Sequence, residues 1–331
     1  MKVAILLASF NGDRFIAEQL ESLREQTFKD WELFNRDDGS TDRTLGILET
    51  FAKYDARIHL LPADGMLLGP TQSFTALLTH ALNKGFDYFF FCDQDDVWLP
   101  QKIERMLEVL KTEEGPFAVH SDLEVCDAFM KRVRESAKKG IPTDLSEAET
   151  FPKLLCQNFV TGCALAINRP LAEKVLPISA DPLMHDWWVA LVACATGKLH
   201  FIHESLVRYR QHGANASGPG LQLGWAAGFK KFASQRADLD KLMERRFRQI
   251  VALRDHLEKF GDSPALALLH DLTRRAGKGT LSFLWGSLTQ GLRMLDVPRS
   301  LAYYWILMSD ASALRKVLHS GPEAESVTEA G

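Results

Sequence analysis

The chain is poor in cysteine. Cys92, Cys126, Cys156, Cys163 and Cys194 are scattered, odd in number and contain no C-x-x-C. That argues against a disulfide framework and against a zinc site, and it leaves reduced, buried thiols of a cytosolic protein as the expectation. No uncharged apolar run reaches the ~18 residues that a membrane span needs. The opening "MKVAILLASFNG" is too short for a signal peptide, has no small-residue cleavage site and is broken by "NGDRF". It reads as a buried strand. No G-x-G-x-x-G follows it, which argues against a dinucleotide-dependent oxidoreductase. Positive charge is not in excess: the net charge is -4, so no nucleic-acid partner is expected. There is no internal repeat and no low-complexity tract.

What is present is ordinary globular material, 46% hydrophobic and 25% charged over 331 residues. That length fits one large α/β domain with an appendage, or two domains. Charge is uneven. Before residue 219 there are 23 Lys and Arg against 31 Asp and Glu, and from Pro219 onward 16 against 12. We expect a catalytic domain over 1–218 and a helical region over 219–331, with a frayed acidic tail from 321.

Apolar runs and helical periodicities alternate in the first half. "KVAILLAS" stops at the turn "FNG". "DRFIAEQLESLREQ" places Phe15, Ile16, Leu20 and Leu23 at helical spacing, with Asp13 as N-cap. "WELFNRDD" is a second strand, after which Ser40 or Thr41 opens the helix "TLGILETFAKY". "RIHLLPA" is a third strand, followed by the loop "ADGMLLGPTQ". "SFTALLTHALNKG" is a helix stopped by Gly85, and "DYFFFCD" is a strand apolar on both faces. Such alternation predicts right-handed βαβ units and a mostly parallel, twisted sheet flanked by helices. Ligands of such sheets sit outside the carboxyl ends of the strands, and there "ASFNG", "RDDGS" and "CDQDD" collect. Further on, "FAVHSDLEV" and "NFVTGCALAINR" are strand-like, "MKRVRESAKKG" is a mobile polar segment and "HDWWVALVACATG" is an apolar helix. "KLHFIHESLVRYRQHG" reads as strand, turn and strand, and about 222–320 reads as helical.

Four clusters could carry chemistry. In "CDQDDVWLP", Asp93 and Asp95 alternate along an extended chain and point the same way, while Asp96 points away or caps a helix beginning near Pro100. Converging carboxylates with no nearby His suit a hard ion such as Mg or Mn; the same acids also suit a turn and an N-cap. In "RDDGSTDRT", Asp37 and Asp38 leave a strand and Gly39 permits a sharp turn. One of the two carboxylates can accept a base-edge N–H. In "MHDWWVAL", Asp186 opens a helix, which the macrodipole favours on its own, and it can equally act as a general base beside an aromatic wall. In "RYRQHG", Arg208, Arg210 and His212 end a strand before a Gly- and Asn-rich loop and can hold a diphosphate or a metal.

Together these segments resemble the family 2 glycosyltransferases, which have the glycosyltransferase-A (GT-A) fold. "VAILLASFNGDRF" through "RDDGSTDRT", the DxD-like "FCDQDDVWLPQKI", "HDWW" and "RYRQHG" carry the resemblance, which covers about Met1–Ser217 and is strongest to a rhamnosyltransferase-like bacterial branch. It implies a nucleotide-sugar site lined by Ala8, Ser9, Phe10, Asn11, Asp38, Gly69, Gln72, Asp93 and Gln94. Asp38 would accept from the base and Asp93 would lie near the ribose. It further implies Asp95 and His212 as metal ligands for Mg or Mn, Arg210 and His212 on the diphosphate, Asp186 as catalytic base, and Trp187 and Trp188 in the acceptor pocket. Arg36 and His185 depart from the family pattern and are expected to touch neither the proposed base nor the metal ligands.

The implied activity is inverting, metal-dependent transfer of a sugar, rhamnose being one candidate, from a UDP- or dTDP-sugar. The acceptor would be a saccharide or a lipid-linked one in bacterial surface polysaccharide synthesis. The rivals are a sugar-nucleotide nucleotidyltransferase, whose glycine-rich, Arg-containing first loop is missing, and a non-catalytic nucleotide-sugar-binding module. The helices bearing Arg274, Arg275, Lys278, Arg293 and Arg299 either pack on protein, a second subunit included, or lie on an anionic membrane surface. A cytoplasmic protein, free or peripheral on the inner face of the membrane, is therefore expected.

Overall fold

The computed structural model describes residues 1–62, 66–137, 151–179, 183–212, 236–292 and 300. The last three residues of "MKRVRESAKKG", the Gly- and Asn-rich loop after His212, Arg293, Arg299 and the acidic tail lie outside the described residues. The chain divides into two compact units: Met1–Ile141 with Phe159–Ala180 and Met184–Gly213, and Pro142–Asn158 with Asp181–Leu183 and Ala214–Gly331.

The first unit holds a nine-stranded sheet. Its strands are β1 (Val3–Ser9), β2 (Trp31–Asp37), β3 (Ile58–Leu60), β4 (Tyr88–Cys92), β5 (Val97–Trp98), β6 (Phe117–Cys126), β7 (Arg132–Arg134), β8 (Leu165–Asn168) and β9 (Lys198–Arg210). They lie in the order β3-β2-β1-β4-β8-β6-β9-β5, with β7 on β6. β1, β2, β3, β4, β6 and β9 run one way, and β5, β7 and β8 run against them. The fold class is the expected one. Val3–Leu7 of β1 and Phe89–Cys92 of β4 are buried throughout, as central strands covered on both faces must be. Packed on the sheet are α1 (Ile16–Arg24), α2 (Thr44–Tyr54), α3 (Gly69–Asn83), α4 (Lys102–Leu110), α6 (Arg169–Val175) and α7 (His185–Thr196).

The register brings the polar ends together. Ser9 stands opposite Asp37, and Leu7 opposite Cys92. Phe10, Asp38 and Asp93 therefore leave the sheet on one edge.

Several local readings change. Asp13 does not cap α1, which opens at Ile16 behind Phe15 with no side-chain cap; Asp13 pairs with Arg43 at 3.2 Å instead. Neither Ser40 nor Thr41 starts α2. Ser40 closes a turn on Asp37, and the helix begins at Thr44. β9 is one 13-residue strand with no turn inside it. Its register against β6 jumps from Ser121–Ile202 to Asp122–Ser205, so His203 and Glu204 bulge out, and Glu204 pairs with Arg105 at 2.5 Å. Bulges of this kind leave the extra residues outside the ladder, which a sequence pattern reads as a turn.

The second unit is helical among its described residues: α5 (Phe151–Cys156), α8 (Arg236–Leu257), α9 (Pro264–Gly277) and α10 (Thr280–Thr289). Ser263 caps α9 by accepting the Leu266 N–H at 3.1 Å, with Pro264 in the first turn. Leu253, Leu257, Leu269, Leu272 and Phe283 form its buried interior. No helix among the described residues is long and apolar enough to cross a membrane.

Candidate active site

The first wall of the site is the chain leaving β1. Phe10 is exposed, while its backbone is held at both ends by one side chain: Phe10 N–H donates to Gln94 Oε1 and Gln94 Nε2 donates to Phe10 O, each at 2.9 Å. Asn11 takes a positive φ of 46°, a conformation Asn tolerates better than most residues. Its Oδ1 accepts the Thr41 N–H at 2.9 Å, and its own N–H donates to Ser40 Oγ at 2.8 Å. Ser9 is buried and donates to Asp37 Oδ2 at 2.9 Å. Ala8 is half-buried beside it. The residues expected to line a nucleoside are thus gathered, and β2's turn supports them.

Asp38 forms the floor. It is buried, and it is already bonded within the chain. Oδ1 accepts from Arg36 Nη1 at 2.5 Å and from the Leu68 N–H at 2.7 Å; Oδ2 accepts from the Gly69 N–H at 2.8 Å. Gly69 sits at φ 71°, and Gln72, half-buried in α3, reaches Ser179 O at 3.4 Å. Arg36 was not anticipated here: it is buried against Asp38, Ser73 and the Met66 carbonyl. The signal was a Arg inside a strand otherwise bound for the core.

The "DQDD" stretch is a turn, not an extended run. Gln94, tied to Phe10, pins it. As a result Asp93 and Asp96 converge, with Cys163, so that one donor atom of each lies within 4.8 Å of the others. Asp95 instead meets His212, Oδ2 to Nε2 at 2.7 Å. The expectation that Asp93 and Asp95 share a side and Asp96 points away is corrected by this turn. Asp96 does not cap a helix: it is fully buried and accepts the Arg210 N–H at 2.9 Å.

Crowding shows in the proton affinities. Burial, then the charges of Asp96, Asp95 and Asp186, push the Asp93 carboxyl well above the usual carboxylate range. Burial and Asp95 push Asp96 up to about 7. Beneath them lies a cation the sequence did not announce. Lys102 is fully buried, donates to Cys163 O and sits 3.2 Å from the Trp98 ring centre. Burial brings it down to about 7. Its place on the apolar face of α4, one turn before Met106, was the available clue.

These residues fit a hard divalent ion. Asp96 Oδ2 is buried and, among the described residues, has no hydrogen-bond partner of ordinary geometry, and the acid turn offers carboxylates together with the His212 imidazole held on Asp95. Burial pushes the Cys163 thiol well up, so it stays protonated and does not favour a softer metal.

Arg210 differs from expectation. It is buried, its Nε donates to Asp95 O at 2.8 Å, its Nη1 to Ala128 O at 2.9 Å and its Nη2 to Glu18, and it stacks 4.5 Å from the Phe15 ring centre. It braces the acid turn from behind instead of standing open to a diphosphate. Arg208 pairs with Glu124.

Asp186 lies in the first turn of α7, buried, accepting the Trp187 N–H at 2.6 Å. Its charge is felt at Asp93, which puts the expected base in electrostatic reach of the acid turn. The aromatic wall is less open than expected. Trp188 is core, donating Nε1–H to Val175 O at 3.1 Å, and Trp187 is also buried. His185 is held between Phe74 and Phe91, at ring distances of 4.0 and 5.4 Å. Burial lowers it to about 3, so it is neutral at working pH.

The family model described as glycosyl transferase family 2 matches residues 4–174. An uncharacterised glycosyltransferase of Nostoc sp. is 30% identical over 222 residues, covering 65% of this chain and 66% of that protein. The dTDP-rhamnosyl transferase RfbG of Shigella flexneri is 27% identical over 224 residues, covering 65% and 74%. Among solved structures, S. aureus TarS 1-349 in complex with UDP superposes with a TM-score of 0.53 at 14% identity, covering 97% of this chain and 91% of that one, which speaks to the GT-A fold. β1, β2 and β4 deliver Phe10, Asp38 and the acid turn to one edge of the sheet, and the chain belongs to glycosyl transferase family 2.

Proposed function

We propose that this glycosyltransferase moves a sugar from a UDP- or dTDP-sugar, with inversion, to a saccharide or lipid-linked acceptor of bacterial surface polysaccharide. The observation that carries the reading is the acid turn itself: Asp95 meets His212, Asp93 and Asp96 converge with Cys163, and the charge of Asp186 is felt at Asp93. RfbG, named a dTDP-rhamnosyl transferase, supports rhamnose as the first sugar to test.

Asp38 accepts the base N–H, Phe10 offers its ring, and Gly69 and Gln72 close the loop side. Asp95 and His212 would hold a Mg or Mn ion, with Asp93 next to them near the ribose. When bound, such an ion supplies Lewis-acid stabilisation of the leaving diphosphate. Asp186 takes the proton of the acceptor hydroxyl as that oxygen attacks the anomeric carbon from the face opposite the diphosphate, in one displacement. Trp187 and Trp188 shape the ground under the acceptor from within the core. The helices of the second unit would meet the acceptor, a membrane surface or another subunit.

Asp186→Asn tests the base. It should lower turnover by roughly 10²–10⁴ while titration calorimetry shows donor binding unchanged. Unchanged turnover would remove Asp186 from that role. A donor screen reading release of free nucleoside diphosphate would identify the sugar and base.

A further inference from the structure

A carboxylate oxygen offers two acceptor positions. On Asp38, Oδ1 is filled by Arg36 and Leu68, and Oδ2 is half filled by Gly69. Among the described residues, one position on Oδ2 remains. Burial pushes this carboxyl up, but the hydrogen bonds from Leu68, Arg36 and Gly69 and the Arg36 charge outweigh it and hold the group below its usual range. Arg36 also donates to Ser73 Oγ at 3.0 Å and Met66 O at 2.9 Å. One buried guanidinium therefore fixes the end of β2, the loop before α3 and the body of α3. Around this point apolar surface is left exposed: Phe10, Met66 and Leu67. Leu67 leans over Gly39, where an added Cβ would lie 3.0 Å from its Cδ2. An apolar rim over a single charged acceptor is a setting for a flat heterocycle.

We propose that Arg36 selects the nucleobase: by keeping Asp38 an acceptor-only carboxylate beside a fixed cation, it admits bases that present a ring N–H next to a carbonyl. Uracil, thymine and guanine do so. Cytosine and adenine present an unprotonated ring nitrogen instead, and its lone pair would face the carboxylate. Discrimination then comes from repulsion of the wrong base as much as from attraction of the right one. This rests on the reading of Asp38 as the base acceptor. Arg36 is a positioning residue, acting through Asp38 and the Met66–Gly69 loop.

The test is calorimetric binding of UDP, dTDP, GDP, CDP and ADP in the presence of Mn²⁺. The wild-type chain should prefer its best imide- or lactam-bearing nucleotide over CDP and ADP by about tenfold or more, the size expected for one charged hydrogen bond. Arg36→Met should bring that ratio to within about threefold, with an unchanged circular dichroism spectrum. Arg36→Lys should recover part of it, because it keeps the charge but cannot reach Asp38, Ser73 and Met66 together. The ratio between bases is the readout, since loosened packing alone would weaken all five alike. Full preference in Arg36→Met overturns the role of Arg36 and leaves Asp38 standing. Full affinity and preference in Asp38→Asn overturns the base reading itself, and a wild type without preference overturns both. Should Arg36→Met fail to fold, Arg36→Lys and Ser73→Ala decide by the same ratio: a reduced ratio in either supports the proposal, and an unchanged ratio in both overturns it.

Discussion

Gly12 shows how little room the donor wall leaves. Its carbonyl accepts the N–H groups of Phe15 and Ile16, each at 3.0 Å, and its own N–H donates to Thr44 Oγ1 at 2.8 Å. A methyl group there would lie 2.3 Å from Gln94 Oε1. Gln94 cannot swing aside cheaply, because both ends of its amide hold Phe10. Gly12→Ala should therefore expel Gln94 and lose two hydrogen bonds, a cost of about 1–3 kcal/mol measurable in the urea midpoint. Added to Gln94→Ala, the same change should cost almost nothing, a non-additivity diagnostic of direct contact. Equal costs in both backgrounds would mean the methyl is accommodated some other way. The "NG" dipeptide announced a turn, but its partner stands 84 positions from Phe10. Local sequence carries no trace of such a distance, which is why Gln94 entered only through resemblance, Arg36 only as a departure from the family pattern, and Lys102 not at all.

The acid turn and α4 act as one electrostatic element, and its pH behaviour follows from sign. The Asp96 carboxyl is raised from 3.8 to about 7 in the folded chain. Between those values the native state holds a proton that the unfolded state has released, so stability falls as pH rises from about 4 to about 7. The Lys102 ammonium is lowered from 10.5 to about 7. Above about 7 the unfolded chain holds the extra proton, and stability recovers as pH rises. In EDTA, the contributions of Asp96 and Lys102 taken together should therefore reach their minimum near pH 7. Urea midpoints across pH 5 to 9, compared between the native chain and Lys102→Met, read it: the alkaline recovery should disappear in the variant. A recovery of the same size in both would show that Lys102 is not its source. What the sequence made legible was of this scale too. The alternation "KVAILLAS", "WELFNRDD", "DYFFFCD" with amphipathic helices gave sheet and flanks, because period and burial are local properties. The β9 bulge, the late start of α2 and the bend at Asp93–Asp96 depend on partners from other elements, and each was misread as the nearest local motif. Asp95 and His212 were paired in advance, but only because a family pattern supplied the long-range step that periodicity lacks.

At the scale of the molecule, every residue assigned to the donor site, from Ala8 to His212, falls in the sheet-bearing unit, while the second unit is helical among its described residues and contributes none of them. A ligand that binds only the folded form stabilises it by RT ln(1 + [L]/Kd), about 2.7 kcal/mol at a hundredfold excess over Kd. That stabilisation belongs to whatever unfolds together with the site. Chains of two compact units need not unfold in one step. Differential scanning calorimetry should therefore resolve two transitions, and UDP or dTDP with Mn²⁺ should raise one of them. The nucleotide in EDTA should raise it far less, because Asp93, Asp95 and Asp96 then meet a diphosphate with no cation between like charges. Asp95→Ala should reduce the Mn²⁺-dependent part of the shift and leave the other transition where it was. If both transitions moved together with nucleotide, the second unit would have to share in donor binding. If EDTA made no difference to the shift, the acids at the sheet's edge would be balanced by Lys102 and Arg210 alone, and the metal would drop out of the mechanism.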